Sequence, residues 1–169
     1  MRFFNYLNFP QLNLTNNLAS EKIMYNPGVG YVSYEINRKD VIDQVLAILP
    51  KEISDHIIPE SDILFQTINP HLNNYIHKDG RVFAINYLID SGGENVETLF
   101  FNDNKELIET NIMREGSWAL LHTNTFHCVT NITKLRKAIT ISFGGFPHFN
   151  NILDESKLKL LQEFFINYD

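Results

Sequence analysis

The chain has 169 residues, of which 44% are hydrophobic, and a formal charge of −6 at pH 7, which is typical of one globular domain with a sizeable core. No apolar stretch reaches the about 18 residues of a membrane span, and no run of lysine or arginine forms a basic stripe, so neither membrane insertion nor nucleic-acid binding is expected. The single cysteine, Cys128, excludes an intramolecular disulfide and the N-terminus is a poor secretory signal, so a cytoplasmic protein is expected.

The first part of the chain, residues 1–61, predicts a β-hairpin followed by a helix. A turn signal at residues 26–30 separates two short β-like runs, KIMY and YVSYEIN. The next segment carries apolar residues at helical spacing, with Asp40 as the expected cap and Pro50 as the expected stop. These apolar positions are Val41, Ile42, Val45, Leu46 and Leu49.

The central part, residues 62–146, predicts a core of short β-strands. Eight β-rich runs follow each other at roughly ten-residue spacing, which is typical of an antiparallel sandwich or barrel. The runs are ILFQTI, YIHKD, RVFAINYLI, TLFFN, ELIETNIM, SWALLH, HCVTNI and KAITISF. An apolar helical stripe in residues 152–168 predicts a C-terminal helix, and both helices are expected to cover one face of a sheet. The chain is therefore expected to be mainly β with flanking helices, in a single domain.

A polar cluster interrupts the second of these runs. In a strand, His77 and Asp79 point to the same side, which Tyr75 shares. Two ligands do not hold a divalent metal, and His127, at the start of a later run, is the better third ligand. Two histidines and one carboxylate leave three coordination positions open, which favours non-haem Fe(II) and O₂ chemistry. His122, which ends an apolar run, is expected in the core.

The last predicted strand adds an arginine. Arg136, Ala138, Thr140 and Ser142 share one face, and the opposite face, which begins with Lys137, is mainly apolar. An arginine that points into a barrel requires an anion, since an unpaired buried guanidinium is unfavourable, and a carboxylate held by two hydrogen bonds is its natural partner. An acidic co-substrate with two carboxylates could ligate iron with one and contact Arg136 with the other.

The order and spacing of these residues resemble a known family. His77-x-Asp79, then His127, then Arg136 are similar to the motifs of the iron(II)/2-oxoglutarate-dependent dioxygenase superfamily, and the flanking AINYLIDSGGENVETLFF and LRKAITISF resemble its prolyl-hydroxylase-like branch. The resemblance covers roughly residues 66–143, about half of the chain. It implies a double-stranded β-helix, that is, a jelly-roll, cupin-like barrel.

The resemblance also implies a chemistry and a role for each motif. His77, Asp79 and His127 would be Fe(II) ligands, and Arg136 would anchor the distal carboxylate of 2-oxoglutarate. With O₂, 2-oxoglutarate would be decarboxylated to succinate and CO₂ while a substrate is hydroxylated. Many branches have serine where this chain has Ala138. The missing polar contact is therefore expected from Thr140, Tyr75 or Asn86.

The substrate and several alternatives stay open at this stage. A protein side chain and a small metabolite are both compatible with the sequence, with contacts expected from the N-terminal hairpin and from residues 69–74 and 102–110. His77 and Asp79 could belong to a simple Asp-Gly hairpin turn. A cupin-type metal-dependent enzyme or binder is one alternative function, although cupins place more histidines in the first motif. A non-catalytic jelly-roll module is another, and it would leave Arg136 without its anion.

Overall fold

The computed structural model describes residues 2–143 apart from positions 16 and 29, together with Lys159 and Glu163. Its strands are β1 (Phe4–Leu7), β2 (Ala19–Tyr25), β3 (Tyr31–Ile36), β4 (Ile63–Ile68), β5 (Phe83–Asp90), β6 (Glu97–Phe101), β7 (Leu107–Asn111), β8 (Trp118–His122), β9 (Phe126–Thr130) and β10 (Arg136–Phe143). Its helices are α1 (Lys39–Ile48), α2 (Lys51–Ser54) and α3 (Pro59–Asp62), with a 3₁₀ turn at Pro70–Leu72. The C-terminal helix predicted over residues 152–168 lies outside the described residues, except for Lys159 and Glu163, which are helical.

Two antiparallel sheets are formed. The large sheet has the order β1-β8-β5-β10-β4-β3-β2, and the small sheet has the order β7-β6-β9. From β4 onwards the chain passes back and forth between them: β4, β5, β8 and β10 lie in the large sheet, whereas a bridge at His77, then β6, β7 and β9, lie in the small one. This is the strand order of a jelly roll, so the predicted mainly β, jelly-roll fold class is confirmed. The two sheets are not closed into a barrel.

The core lies on the side of the large sheet that faces the helices. In β10, Ile139 and Ile141 are fully buried there, since alternate residues of a strand point to opposite faces. Val41 and Val45 of α1 belong to the same apolar cluster. Replacing one such residue by alanine would lower the free energy of unfolding by about 2–5 kcal/mol. The other face of β10, with Arg136, is thereby left for the space between the sheets.

The start of α1 differs from the prediction. Arg38, rather than Asp40, precedes the helix as its N-cap residue. Asp40 lies in the first turn, and its carboxylate accepts hydrogen bonds from Arg38 Nε and Nη2 at 2.8 and 2.7 Å. It is therefore held by an ion pair and not by a backbone cap. Leu49 ends the helix directly before Pro50, as predicted.

Two strands also differ from the prediction. The YIHKD run does not form a strand, because within it only His77 makes a β-bridge, to His127. The N-terminal strand β1 was not predicted, since its four residues form a strand by pairing with β8, which is distant in the sequence. Among the described residues, no helix has the length and apolar character needed to cross a membrane.

Candidate metal centre

The backbone of the small sheet brings the two predicted histidine ligands together. His77 N–H donates to the carbonyl of His127 at 3.0 Å, and His127 N–H donates to the carbonyl of His77 at 2.9 Å. Residues that exchange both hydrogen bonds face each other across an antiparallel pair, and the two imidazole centroids lie 4.4 Å apart. Asp79 N–H donates to the carbonyl of Thr123 at 2.8 Å, which fixes the third predicted ligand beside them.

The side chains of His77, Asp79 and His127 converge. They offer one ligand atom each, and these atoms lie within 4.8 Å of one another. His77 Nδ1 donates to the carbonyl of Tyr75, and His127 Nδ1 to the carbonyl of Thr125, both at 2.8 Å. A carbonyl only accepts, so the proton of each neutral ring lies on Nδ1 and the lone pair of Nε2 is available to a metal.

The protonation states suit a cation. Burial lowers the pKa of His127 to about 4. Burial opposes ionisation of Asp79, but the Arg81 guanidinium and the two imidazoles outweigh it and hold the pKa of Asp79 well below its usual range. For His77, burial is outweighed by hydrogen bonds to Asp79 and to the Tyr75 carbonyl, so its pKa is raised. At neutral pH, Asp79 is thus an anion and His127 is neutral, which are the forms that bind metals.

Sequence reasoning missed Arg81, which is 5% exposed. Its Nε donates to Asp79 Oδ2 at 2.8 Å, and its Nη1 donates to Ser142 Oγ at 2.7 Å and to Thr140 Oγ1 at 3.4 Å. Strand alternation gives no signal for it, because residues 80–82 form bends and not a strand. From the sequence, Arg81 was placed at the start of the RVFAINYLI run and was given no role.

A cavity between the sheets connects this group to the predicted arginine anchor. His77, Asp79, His127 and Arg136 all border it. Arg136 is 7% exposed, and its Nη1 donates to the carbonyl of Ser91 at 3.1 Å. Burial lowers its pKa to about 10, so it remains a cation at neutral pH. No carboxylate of the described residues lies within ion-pair distance of it.

The loop beneath Arg136 requires a glycine. Gly92 has a φ of +81°, and a Cβ there would lie 2.8 Å from Arg136 Cβ and 2.9 Å from the carbonyl oxygen of Lys134. Only glycine combines this backbone conformation with so close an approach. The loop after β5 can therefore pack directly against the base of Arg136.

The three other residues that were predicted to contact the co-substrate lie in different places. Asn86 borders the cavity, and its buried Oδ1 has no hydrogen-bond partner among the described residues. Tyr75 also borders it but is 49% exposed, with its ring 5.4 Å from that of His77, so it lies at the mouth. Thr140 is fully buried beside Arg81 and does not border the cavity. His122 lies in the core, as predicted, with its ring 4.6 Å from that of Phe83.

Several solved structures are similar to this chain at low sequence identity. A prolyl hydroxylase from Trichoplax adhaerens, in complex with a peptide fragment of the hypoxia inducible factor oxygen degradation domain, is 14% identical, with 90% of this chain and 73% of that chain covered and a TM-score of 0.46. Hydroxypropylphosphonic acid epoxidase from S. wedmorenis, in complex with fosfomycin, is 12% identical over 77% of this chain, at a TM-score of 0.44, and the match spans 59% of its own length. CENP-C of Drosophila melanogaster bound to CAL1 is 13% identical over 73% of this chain and 85% of that one, at a TM-score of 0.42.

These likenesses are too distant to bear on what the protein does, with TM-scores of 0.46 or less. No family model matches the chain, and no curated protein does either. What can be said about function therefore depends on the chemistry of the cavity.

Proposed function

We propose that the protein is an Fe(II)- and 2-oxoglutarate-dependent oxygenase that hydroxylates its substrate. The observation that carries the proposal is the pairing of two features in one cavity. One is the His77, Asp79 and His127 group, and the other is Arg136, a buried cation without a carboxylate partner in the described part of the chain.

The three donors fit Fe(II). Two neutral imidazoles and one carboxylate, with no fourth protein ligand in the described group, leave positions open for other molecules. A structural zinc site would instead be closed by four protein ligands. His77, Asp79 and His127 would therefore hold the iron, and the remaining positions would be available to co-substrate and O₂.

Arg136 offers a cation to a carboxylate bound in the same cavity. A buried guanidinium is unfavourable without an anion, and a carboxylate is the planar partner that two parallel N–H donors match. Arg136 would hold one carboxylate of 2-oxoglutarate. The Asn86 amide, whose Oδ1 has no partner among the described residues, would rotate to place its Nδ2 donors toward the same ligand.

Bound iron supplies the reaction of O₂ with 2-oxoglutarate, which yields succinate and CO₂ and transfers one oxygen atom to a substrate C–H bond. The chain itself binds and orients the reactants. Ile68, Leu72 and Val129 line the cavity with apolar surface, which would favour exclusion of water once the reactants are bound. The substrate, a small molecule or a protein side chain rather than a nucleic acid, would approach past Tyr75 at the mouth.

An anaerobic titration of Fe(II)-loaded protein with 2-oxoglutarate tests the proposal. We expect a weak visible metal-to-ligand charge-transfer band in the wild type and no band in His127→Ala. In Arg136→Met, the dissociation constant for 2-oxoglutarate should rise by about 100-fold, since two hydrogen bonds to a charged group are lost. Lys137→Met is the matched control, because it removes a neighbouring cation on the opposite face of β10, and it should leave the titration unchanged.

Turnover in air supplies the second measurement. Iron-loaded protein should form succinate from 2-oxoglutarate, faster when its substrate is present. Bound metal without any charge-transfer band, together with tight Zn(II) or Ni(II) binding, would contradict the proposal and favour a cupin-type metal protein.

A further inference from the structure

The two oxygens of Asp79 face different partners. Oδ1 lies 3.5 Å from Nε2 of His77, which is another member of the ligand group. Oδ2 accepts a hydrogen bond from Arg81 Nε at 2.8 Å. A carboxylate can bind a metal through one oxygen or through both, so the partner of Oδ2 decides how many positions Asp79 occupies on the ion.

We propose that Arg81 is a positioning residue that limits Asp79 to a single metal bond, through Oδ1. This inference rests on the metal centre of the proposed function. Limiting the carboxylate to one bond keeps three positions of a six-coordinate ion open, whereas a carboxylate bound through both oxygens would leave two.

The position of Arg81 is fixed from several sides. Its Nη1 donates to Ser142 Oγ at 2.7 Å, and Thr140 Oγ1 lies 3.4 Å from the same nitrogen. Its main-chain carbonyl accepts from Thr123 Oγ1 at 3.0 Å, and the carbonyl of Thr123 accepts from Asp79 N–H at 2.8 Å. The Arg81 side chain is 6% exposed. Because it cannot move away without breaking these contacts, Oδ2 cannot turn toward a bound ion.

A purely structural role for Arg81 predicts a different outcome. If Arg81 only neutralised Asp79 in the interior, its loss would loosen the site, and metal and co-substrate affinities would fall together. If it limits the carboxylate to one bond, its loss frees Oδ2 and removes a neighbouring positive charge. The metal should then bind as tightly or more tightly, while one water is lost from the ion and the co-substrate binds less well.

Counting waters on Mn(II), used alone as the probe, distinguishes these outcomes. Water-proton relaxation should report three coordinated waters in the wild type, and the relaxivity of the Arg81→Met complex should be about one third lower at an equal or smaller Mn(II) dissociation constant. Arg81→Lys keeps the charge and one donor, so it should recover part of the wild-type relaxivity. Arg38→Met is the matched control, since Arg38 pairs with Asp40 through Nε at 2.8 Å near the start of α1, and it should leave the relaxivity and the Mn(II) dissociation constant unchanged.

Ser142→Ala provides a milder variant in case Arg81→Met does not fold. It removes the hydroxyl that accepts from Arg81 Nη1, so its relaxivity should fall between those of wild type and Arg81→Met. Relaxivity equal to the wild-type value in both Ser142→Ala and Arg81→Lys would overturn the inference. A metal affinity that falls together with the co-substrate affinity would overturn it as well. Loss of a water from Mn(II) in a protein that never binds 2-oxoglutarate would instead sink the proposed function and leave the role of Arg81 intact.

Discussion

Two buried arginines border the same cavity and differ in what neutralises them. Arg81 donates to a carboxylate and to hydroxyl groups, whereas Arg136 donates to one backbone carbonyl in the described part of the chain. Removing the arginine of a buried ion pair leaves its carboxylate without a partner, whereas removing a buried cation that has no carboxylate partner leaves no charge behind. The contrast separates a group that organises the protein from a group that is available to a ligand.

Removing Arg81 should have the largest effect on stability. In metal-free Arg81→Met, Asp79 would remain as a buried anion without its main partner, and the free energy of unfolding should fall by about 3–5 kcal/mol. Urea denaturation at neutral pH measures this. Arg38→Met breaks an exposed ion pair, so it should lower the value far less than Arg81→Met does. Equal losses in the two variants would mean that burial of the Arg81 pair carries no extra energy.

Two asparagines extend the comparison to neutral groups. Asn73 Nδ2 donates to the carbonyl of Ile132 at 2.7 Å, and its Oδ1 accepts from Ile132 N–H at 2.8 Å. Asn73→Leu would leave both backbone groups of the buried Ile132 unpaired, and it should lower the free energy of unfolding by about 2 kcal/mol. Asn86→Leu removes an amide oxygen that has no described partner, so the free energy of unfolding should be almost unchanged. If Asn86→Leu lowered the free energy of unfolding more than Asn73→Leu does, Asn86 rather than Asn73 would be the structural asparagine.

Arg136→Met should stabilise the metal-free protein by about 1 kcal/mol. Methionine fills much of the same space, and the substitution removes a desolvated charge whose partner is a single carbonyl. Thermal unfolding without 2-oxoglutarate would show a higher midpoint for the variant. With 2-oxoglutarate and Fe(II) added, the wild type should gain stability and the variant should not. A clear loss of stability in the ligand-free variant would show that Arg136 has a structural partner.

The smallest effect concerns His122, a buried base without a catalytic role in our proposal. Burial lowers its pKa in the folded protein below the ordinary value of 6.5. Just below pH 6.5 the unfolded chain binds more protons than the folded one, so the free energy of unfolding rises with pH. The contribution of neutral His122 to stability is complete above about pH 6.5. His122→Gln should reduce this rise between about pH 5 and 7. Urea denaturation at both pH values measures the difference, and an identical rise in the variant would contradict it.

Much of the fold follows from local patterns in the sequence. The alternation in β10 placed Ile139 and Ile141 under the helices and Arg136 on the other face, and the structure has the same arrangement. His127 was the better third ligand because it begins a later run, and the ligand atoms of His77, Asp79 and His127 do lie together. Periodicity is reliable in β10 because a strand with one buried face has only one workable register.

The parts that were missed depend on contacts between distant segments. Arg81 is buried because Ser142 and Thr140 on β10 accept its hydrogen bonds, and no local pattern announces that pairing. Tyr75 was expected on the inner face with His77, but the run around it is not a continuous strand, so alternation does not fix its direction. Thr140 does share its face with Arg136, yet Arg81 lies against it.

The paired backbone of His77 and His127 has a consequence for how an ion would be acquired. Four of the main-chain groups that set the ligand spacing bond to one another, so folding rather than the ion bears the entropy of assembling the ligands. Such a site is a preassembled chelator. The protein would fold before it binds a metal, and a competing chelator would remove the metal without denaturing the protein. The ion that the protein carried would depend on which divalent cation was available after synthesis.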